Sequence, residues 1–313
     1  MTTFPAVDTT DAFDAWRQDP GQWQTLARSI ARAAGLAGRD LTAFGDSTNL
    51  VIDVDGAAIL KIFPPLYHPQ FLSECAALHR LAGQLSVAIP RIIAADEQDG
   101  WSWLVMTKLD GVVGSAVWPQ LSDRERAAIL HDVGRVIAEV HALPPADLAQ
   151  IGTPWPDFIR AQASTCVARH RAQGLAATLL DDLAALVREA PTLIPLDEPP
   201  VILISDLIPQ NLLLSDRAGH WRLCALIDFG DVRTGWWEYD LLGPSALMCD
   251  GKPDLVHSLF DGYGTAADNA MRRRLLIHMA LHHASDFRNM TIPDWEKRIA
   301  SLYDLEQVIW PGT

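Results

Sequence analysis

Asp206, Asn211 and Asp228 stand in an order that suits phosphoryl transfer from a magnesium nucleotide. The first two lie in Ile204-Ser205-Asp206-Leu207-Ile208-Pro209-Gln210-Asn211, the third in Leu226-Ile227-Asp228-Phe229-Gly230-Asp231. An Asp can orient the attacking hydroxyl, and an Asn five positions on can hold one metal. A second Asp, after a strand pair, can hold the metal between the phosphates. Such a transfer asks the protein for positioning and charge neutralisation more than for covalent chemistry. A plainer reading makes Asp206 an Asx-turn residue and Asn211 a turn or cap. Asp228 is harder to explain that way. It ends the apolar run 223–227, where a carboxylate needs a cation or several donors, and magnesium meets that need.

Lys61 follows the apolar Ala57-Ala58-Ile59-Leu60. A lysine there is costly to bury unless paired, and Glu74, in the helix that follows, is a candidate partner. The alternative is an edge strand with the ammonium in water. Phe44-Gly45-Asp46-Ser47-Thr48-Asn49 precedes Lys61 between two strand candidates. Gly45 with small polar neighbours such as Ser47 could let backbone amides approach phosphate oxygens, or the stretch is an ordinary turn. His278, His282, His283 and Asp286 read as lying on one helix. A shared metal there competes with simple packing by Leu275, Met279 and Phe287. Trp236 and Trp237 could line a pocket, though core packing is the simpler reading.

The elements that must carry these residues follow from period and punctuation. Residues 1–40 form a helical lead-in, loosely held to residue 20 and striped with apolar residues from 21 to 36. Short strands are expected at 41–44, 49–54 and 57–63, the last two joined by Asp55-Gly56. A helix is expected over 70–82, then strands at 92–95 and 101–107. From Ser122-Asp123-Arg124-Glu125, a capping box, the pattern turns helical, with further helices near 156–172 and 175–189. Residues 211–214 and 221–228 read as a hairpin whose tip, Asp216-Arg217-Ala218-Gly219-His220, is enlarged. The remainder reads as helical.

The 313-residue chain has room for two lobes, and 49% apolar with 20% charged residues fits a globular protein. No apolar run approaches the roughly 20 residues of a membrane span. The start lacks a basic patch and an apolar stretch, so no secretory signal is expected. Four scattered cysteines, none in a Cys-x-x-Cys pair, suit a reduced, cytoplasmic protein. With 25 Lys and Arg against 39 Asp and Glu, the net charge of −14 disfavours nucleic acid and anionic membrane as partners. It would suit a cationic substrate, or serve solubility alone.

Together, Lys61, Glu74, Asp206-Leu207-x-Pro209-x-Asn211, Ile227-Asp228-Phe229-Gly230-Asp231 and Tyr239-Asp240-Leu241 resemble the aminoglycoside phosphotransferase family. The resemblance covers about 40–310. It implies an α+β, protein-kinase-like fold of two lobes: a small antiparallel nucleotide-binding lobe over 1–107 and a larger helical lobe over 108–313. By resemblance, Asp206 is the catalytic base, and Asn211 and Asp228 hold Mg2+. Lys61, paired with Glu74, holds the α- and β-phosphates of ATP or GTP, beneath the loop that contains Ser47. The backbone of Met106, Thr107 and Leu109 meets the nucleobase, and Asp240 anchors the catalytic loop.

The implied activity is transfer of the γ-phosphoryl group to a hydroxyl of a small acceptor, possible cationic aminoglycosides included. Asp231, Glu238 and Asp250 would be carboxylates for such a cation. The family also holds kinases of choline, sugars and amino-acid-like metabolites. One departure is Ile204, where the family usually has a histidine that supports the loop. It leaves open a rival reading, a nucleotide-binding pseudokinase with a regulatory or scaffold role.

Overall fold

Asp55 and Gly56 both adopt positive φ, of 51° and 69°, which turns the chain tightly enough for Leu50–Val54 to pair with Ala58–Phe63. In the computed structural model, which describes residues 4–45 and 47–312, this hairpin lies in a five-stranded antiparallel sheet. The strands are β1 (Leu41–Ala43), β2 (Leu50–Val54), β3 (Ala58–Phe63), β4 (Ile92–Gln98) and β5 (Trp101–Thr107), in the order β1-β2-β3-β5-β4. Strand β3 is therefore central. Helix α1 (Thr10–Gln18) and α2 (Pro20–Ala33) precede the sheet, and α3 (His68–Leu81) links β3 to β4.

The chain falls into two compact units. The first comprises residues to Gly83, Ala88–Asp110 and Leu226–Val232; the second comprises Gln84–Val87, Gly111–Ala225 and the residues from Arg233. In the first unit, Leu226 N–H bonds the Ala88 carbonyl at 3.0 Å, which ties the returning segment to the β-rich part.

The second unit contains β6 (Val112–Val113), α4 (Gly114–Val117), α5 (Asp123–His141), α6 (Trp155–Ala172), α7 (Ala177–Leu193), β7 (Val201–Leu203), β8 (Leu212–Asp216), β9 (Trp221–Leu226, whose last residue enters the first unit), β10 (Arg233–Gly235), α8 (Glu238–Met248), α9 (Pro253–Tyr263), α10 (Asn269–Leu281) and α11 (Leu305–Ile309). Ser122 caps α5 as its sequence predicts: its hydroxyl accepts from Glu125 N–H while Glu125 accepts from Ser122 N–H at 2.9 Å. Helices α5 and α9 touch through glycines. A Cβ on Gly134 would lie 2.1 Å from the Leu259 carbonyl oxygen, and one on Gly262 would lie 2.2 Å from that of His131.

The sequence expectations need correction in three places. The lead-in is not loose before residue 20. Thr9 caps α1 by accepting from Ala12 N–H, and Phe4, Val7, Phe13 and Trp16 are buried. Trp16 and Phe4 pack on Trp101, with ring centroids 4.8 and 5.1 Å apart. A nine-residue helix shows too few turns for a stripe, so its aromatic anchors were the only signal. Second, Arg233–Gly235 forms a strand, and residues 287–304 hold only short 3-10 turns where helix was expected. Third, α10 ends at Leu281, so His282, His283 and Asp286 do not share the His278 helix.

Candidate active site

Lys61 is 4% exposed because β3 has a neighbour on each side: Val51 faces it from β2 and Leu104 from β5. The edge-strand alternative is thereby excluded. Its ammonium lies 2.7 Å from Glu74 Oε2 and 3.0 Å from Asp228 Oδ1. Burial alone would lower the lysine's pKa, but the two carboxylates more than reverse this and hold it above the ordinary range. The cation is thus permanent. Burial pushes the Glu74 carboxyl up, against the pull of Lys61. For Asp228, burial also opposes the charge, yet Lys61 and the Gly230 N–H keep its carboxyl below the usual range. Asp228 keeps 46% of its side-chain surface open and has φ of 64°, a left-handed conformation that costs of order 1 kcal/mol. Glu74 Oε1 also accepts from Phe229 N–H at 3.5 Å, so α3 grips the segment that carries Asp228.

The other first-unit candidates are placed less tightly. Asp46 lies outside the described residues. Ser47 donates its hydroxyl to the Asn49 carbonyl at 2.7 Å, and its own carbonyl accepts from the Arg17 guanidinium on α1. A Cβ on Gly45 would meet nothing within 4 Å. Met106 and Thr107 are in the β5 ladder, and Thr107 N–H is taken by the Arg91 carbonyl at 2.9 Å. Leu109 follows the strand and is half-buried.

In the second unit, Pro209–Asn211 forms one 3-10 turn, which brings the Asn211 amide back onto Asp206. Asn211 Nδ2 donates to Asp206 Oδ2 at 2.7 Å and to its carbonyl at 2.9 Å. With the amide nitrogen so used, the amide oxygen is the atom left for a cation. The backbone before Asp206 is clamped: Asp240 accepts from Ile204 N–H at 2.8 Å and Ser205 N–H at 2.7 Å. Ser205 has φ of 70°. His141 completes the clamp, with Nε2 3.1 Å from Asp240 Oδ2 and Nδ1 3.0 Å from the Tyr263 hydroxyl. Sequence reading did not find His141. Its only local signal is its place at the end of α5 before Pro144-Pro145.

Several suggested residues are engaged elsewhere. Glu238 is 1% exposed and forks onto Arg274 at 2.6 and 2.7 Å, and Asp250 pairs with Arg126 at 3.0 Å. Neither is left for a cationic ligand. Asp231 lies 3.5 Å from Gln70 Nε2. Trp237 stacks on Tyr263 with centroids 5.1 Å apart. His278 is fully buried between Trp155 and Tyr239. Among the described residues, no cluster of three or more His, Cys, Asp or Glu has metal-binding geometry.

A family model described as the Phosphotransferase enzyme family matches residues 40–277, and the chain belongs to that family. By its family it is a phosphotransferase, and it has the protein-kinase-like α+β fold expected from the sequence, which aminoglycoside phosphotransferases share. Among solved structures, it is similar to the GDP and kanamycin complex of APH(2″)-IIIa, with 17% identity over 82% of this chain and 89% of that one and a TM-score of 0.69. It is also similar to the streptomycin–ATP complex of APH(2″)-IIa, at 14% identity, 84% and 91% coverage and a TM-score of 0.58. A third is APH(3″)-Id from Streptomyces rimosus, at 19% identity, 82% and 97% coverage and a TM-score of 0.59. Identities this low speak for the fold alone. No curated protein matches the sequence.

Proposed function

We propose that this protein transfers the γ-phosphoryl group of ATP or GTP to a hydroxyl of an aminoglycoside-like acceptor. The observation that carries this reading is the buried Lys61 ammonium held between Glu74 and Asp228. A permanent cation fixed in a central strand suits the negative charge of a nucleotide's phosphates. Ser47, Met106, Thr107 and Leu109 would complete the nucleotide site in the first unit. Asn211 and Asp228 each offer an oxygen of the kind magnesium takes, and magnesium would neutralise phosphate charge. Asp206 would orient the acceptor hydroxyl and accept its proton. A cytoplasmic location suits four cysteines that are all free. Among the described residues no helix is long and apolar enough to cross a membrane.

The pseudokinase alternative rests on Ile204. The position normally supports the loop, and here Asp240 holds the backbone N–H groups of 204 and 205 with His141 behind it. Loop support therefore does not depend on the side chain at 204.

Initial rates with magnesium, ATP or GTP, and kanamycin, gentamicin, streptomycin or choline test the proposal. Phosphorylated acceptor should appear, and Asp206→Ala should abolish it while nucleotide binding persists. Nucleotide binding without transfer to any acceptor would favour the pseudokinase.

A further inference from the structure

The enlarged hairpin tip noted in the sequence is not used by the catalytic loop. In the structure it closes on itself: Arg217 and His220 exchange backbone hydrogen bonds, Gly219 N–H bonds Asp216 Oδ1 at 2.7 Å, and Ala218 and Gly219 take positive φ. This ordered tip forms one wall of a cavity of about 640 Å³ within the second unit. None of the cavity's lining residues comes from 204–212, the catalytic loop.

The cavity's charge is opposite to that of the molecule. Arg124, Arg135, Arg217 and Arg222 line it against Asp132 and Glu125, a local balance of 4 − 2 = +2 in a chain of −14. The acids are already engaged. Asp132, 4% exposed, receives a fork from Arg222 at 2.8 and 2.6 Å, and Glu125 is held by the Ser122 cap. Arg135 is fixed by Glu139 at 2.7 Å and by the Ser86 hydroxyl. Two guanidinium groups are thus set in place by fixed anchors. Among the described residues, Arg124 and Arg217 have no ion pair. Arg124 also sits in the first turn of α5, where the peptide dipoles favour an anion over a cation. Both side chains are exposed, so their guanidinium groups are open to an anionic ligand entering the cavity. Half-buried Trp221 and Val87 with buried Leu223 give the cavity an apolar side.

We propose that this cavity is a binding site for a metabolite-sized phosphomonoester, with Arg124 and Arg217 contacting the phosphate and Trp221 contacting the organic part. Guanidinium groups match phosphate oxygens in pairs, and the volume suits one small molecule.

Isothermal titration at low ionic strength tests this, using full-length protein saturated with ADP and magnesium so that nucleotide sites are filled. The probes are glycerol 3-phosphate, glucose 6-phosphate and AMP, with glucose and inorganic phosphate for comparison. At least one phosphomonoester should bind more tightly than glucose or inorganic phosphate. The Arg124→Ser/Arg217→Ser double variant, unchanged in unliganded unfolding midpoint, should weaken that binding by about tenfold or more. Absence of binding at millimolar concentration, equal binding of glucose, a preference for bare phosphate, or unchanged affinity in the double variant would each overturn the proposal. Trp221→Ala should weaken the phosphomonoester but not inorganic phosphate; equal loss of both would overturn the role given to the ring.

Discussion

A lysine that touches two carboxylates from different parts of the chain does more than balance charge, because it fixes where a third anion can sit. Lys61→Ala should therefore weaken ATP binding or turnover by about an order of magnitude or more, measured by steady-state kinetics. Unaltered kinetics would sink the assignment. Most of these residues were legible because each sits at a short, fixed spacing within one segment: Asp206 to Asn211 across one turn, Asp228 at the end of an apolar run. Lys61 and Glu74 were legible as a pair because only 13 positions separate them, across the end of β3 and the first half of α3. His141 was not. It reaches Asp240 from 99 positions away, and no local pattern marks a histidine whose partner is set by tertiary packing. The engagement of Glu238 by Arg274 was hidden for the same reason.

At the scale of elements, the support of the loop that carries Asp206 runs through a helix pair. Helix α5 ends on His141 and α9 ends on Tyr263, and their side chains meet at 3.0 Å. The two helices approach so closely that Gly134 has no room for a methyl group. Gly134→Ala should push α9 away and destabilise the protein by about 1–3 kcal/mol, as overpacking does. Denaturant unfolding would show it. An alanine that stabilises, as helix propensity alone predicts, would mean the contact yields easily. The sequence showed α5 through its cap and stripe, but a glycine within a helix reads only as a weak point until its neighbour is known. The five strands were similarly clear from turn signals, whereas α1, with its few aromatic anchors, was not.

For the molecule as a whole, acid sensitivity has an identifiable source. His278 is fully buried, neither ring nitrogen finds a partner among the described residues, and Arg274 and His282 add unfavourable charge. Burial first, then those two neighbours, lowers its pKa from 6.5 to about 3. The unfolded chain therefore binds a proton near pH 6.5 that the native protein refuses until about 3. Between those limits the unfolded state holds more protons, so stability falls as the pH falls, by about 1.4 kcal/mol per pH unit from this residue. Above pH 6.5 the residue makes no pH-dependent contribution. His278→Phe removes the titration and two unpaired polar atoms, and keeps a flat ring between Trp155 and Tyr239. The variant should be at least as stable at pH 7 and lose less stability on titration from pH 6.5 to pH 4, followed by urea unfolding at each pH. If the acid limb keeps its slope in the variant, the sensitivity lies elsewhere, and His282, whose pKa is lowered to about 4 by burial and by His283, is the next residue to replace.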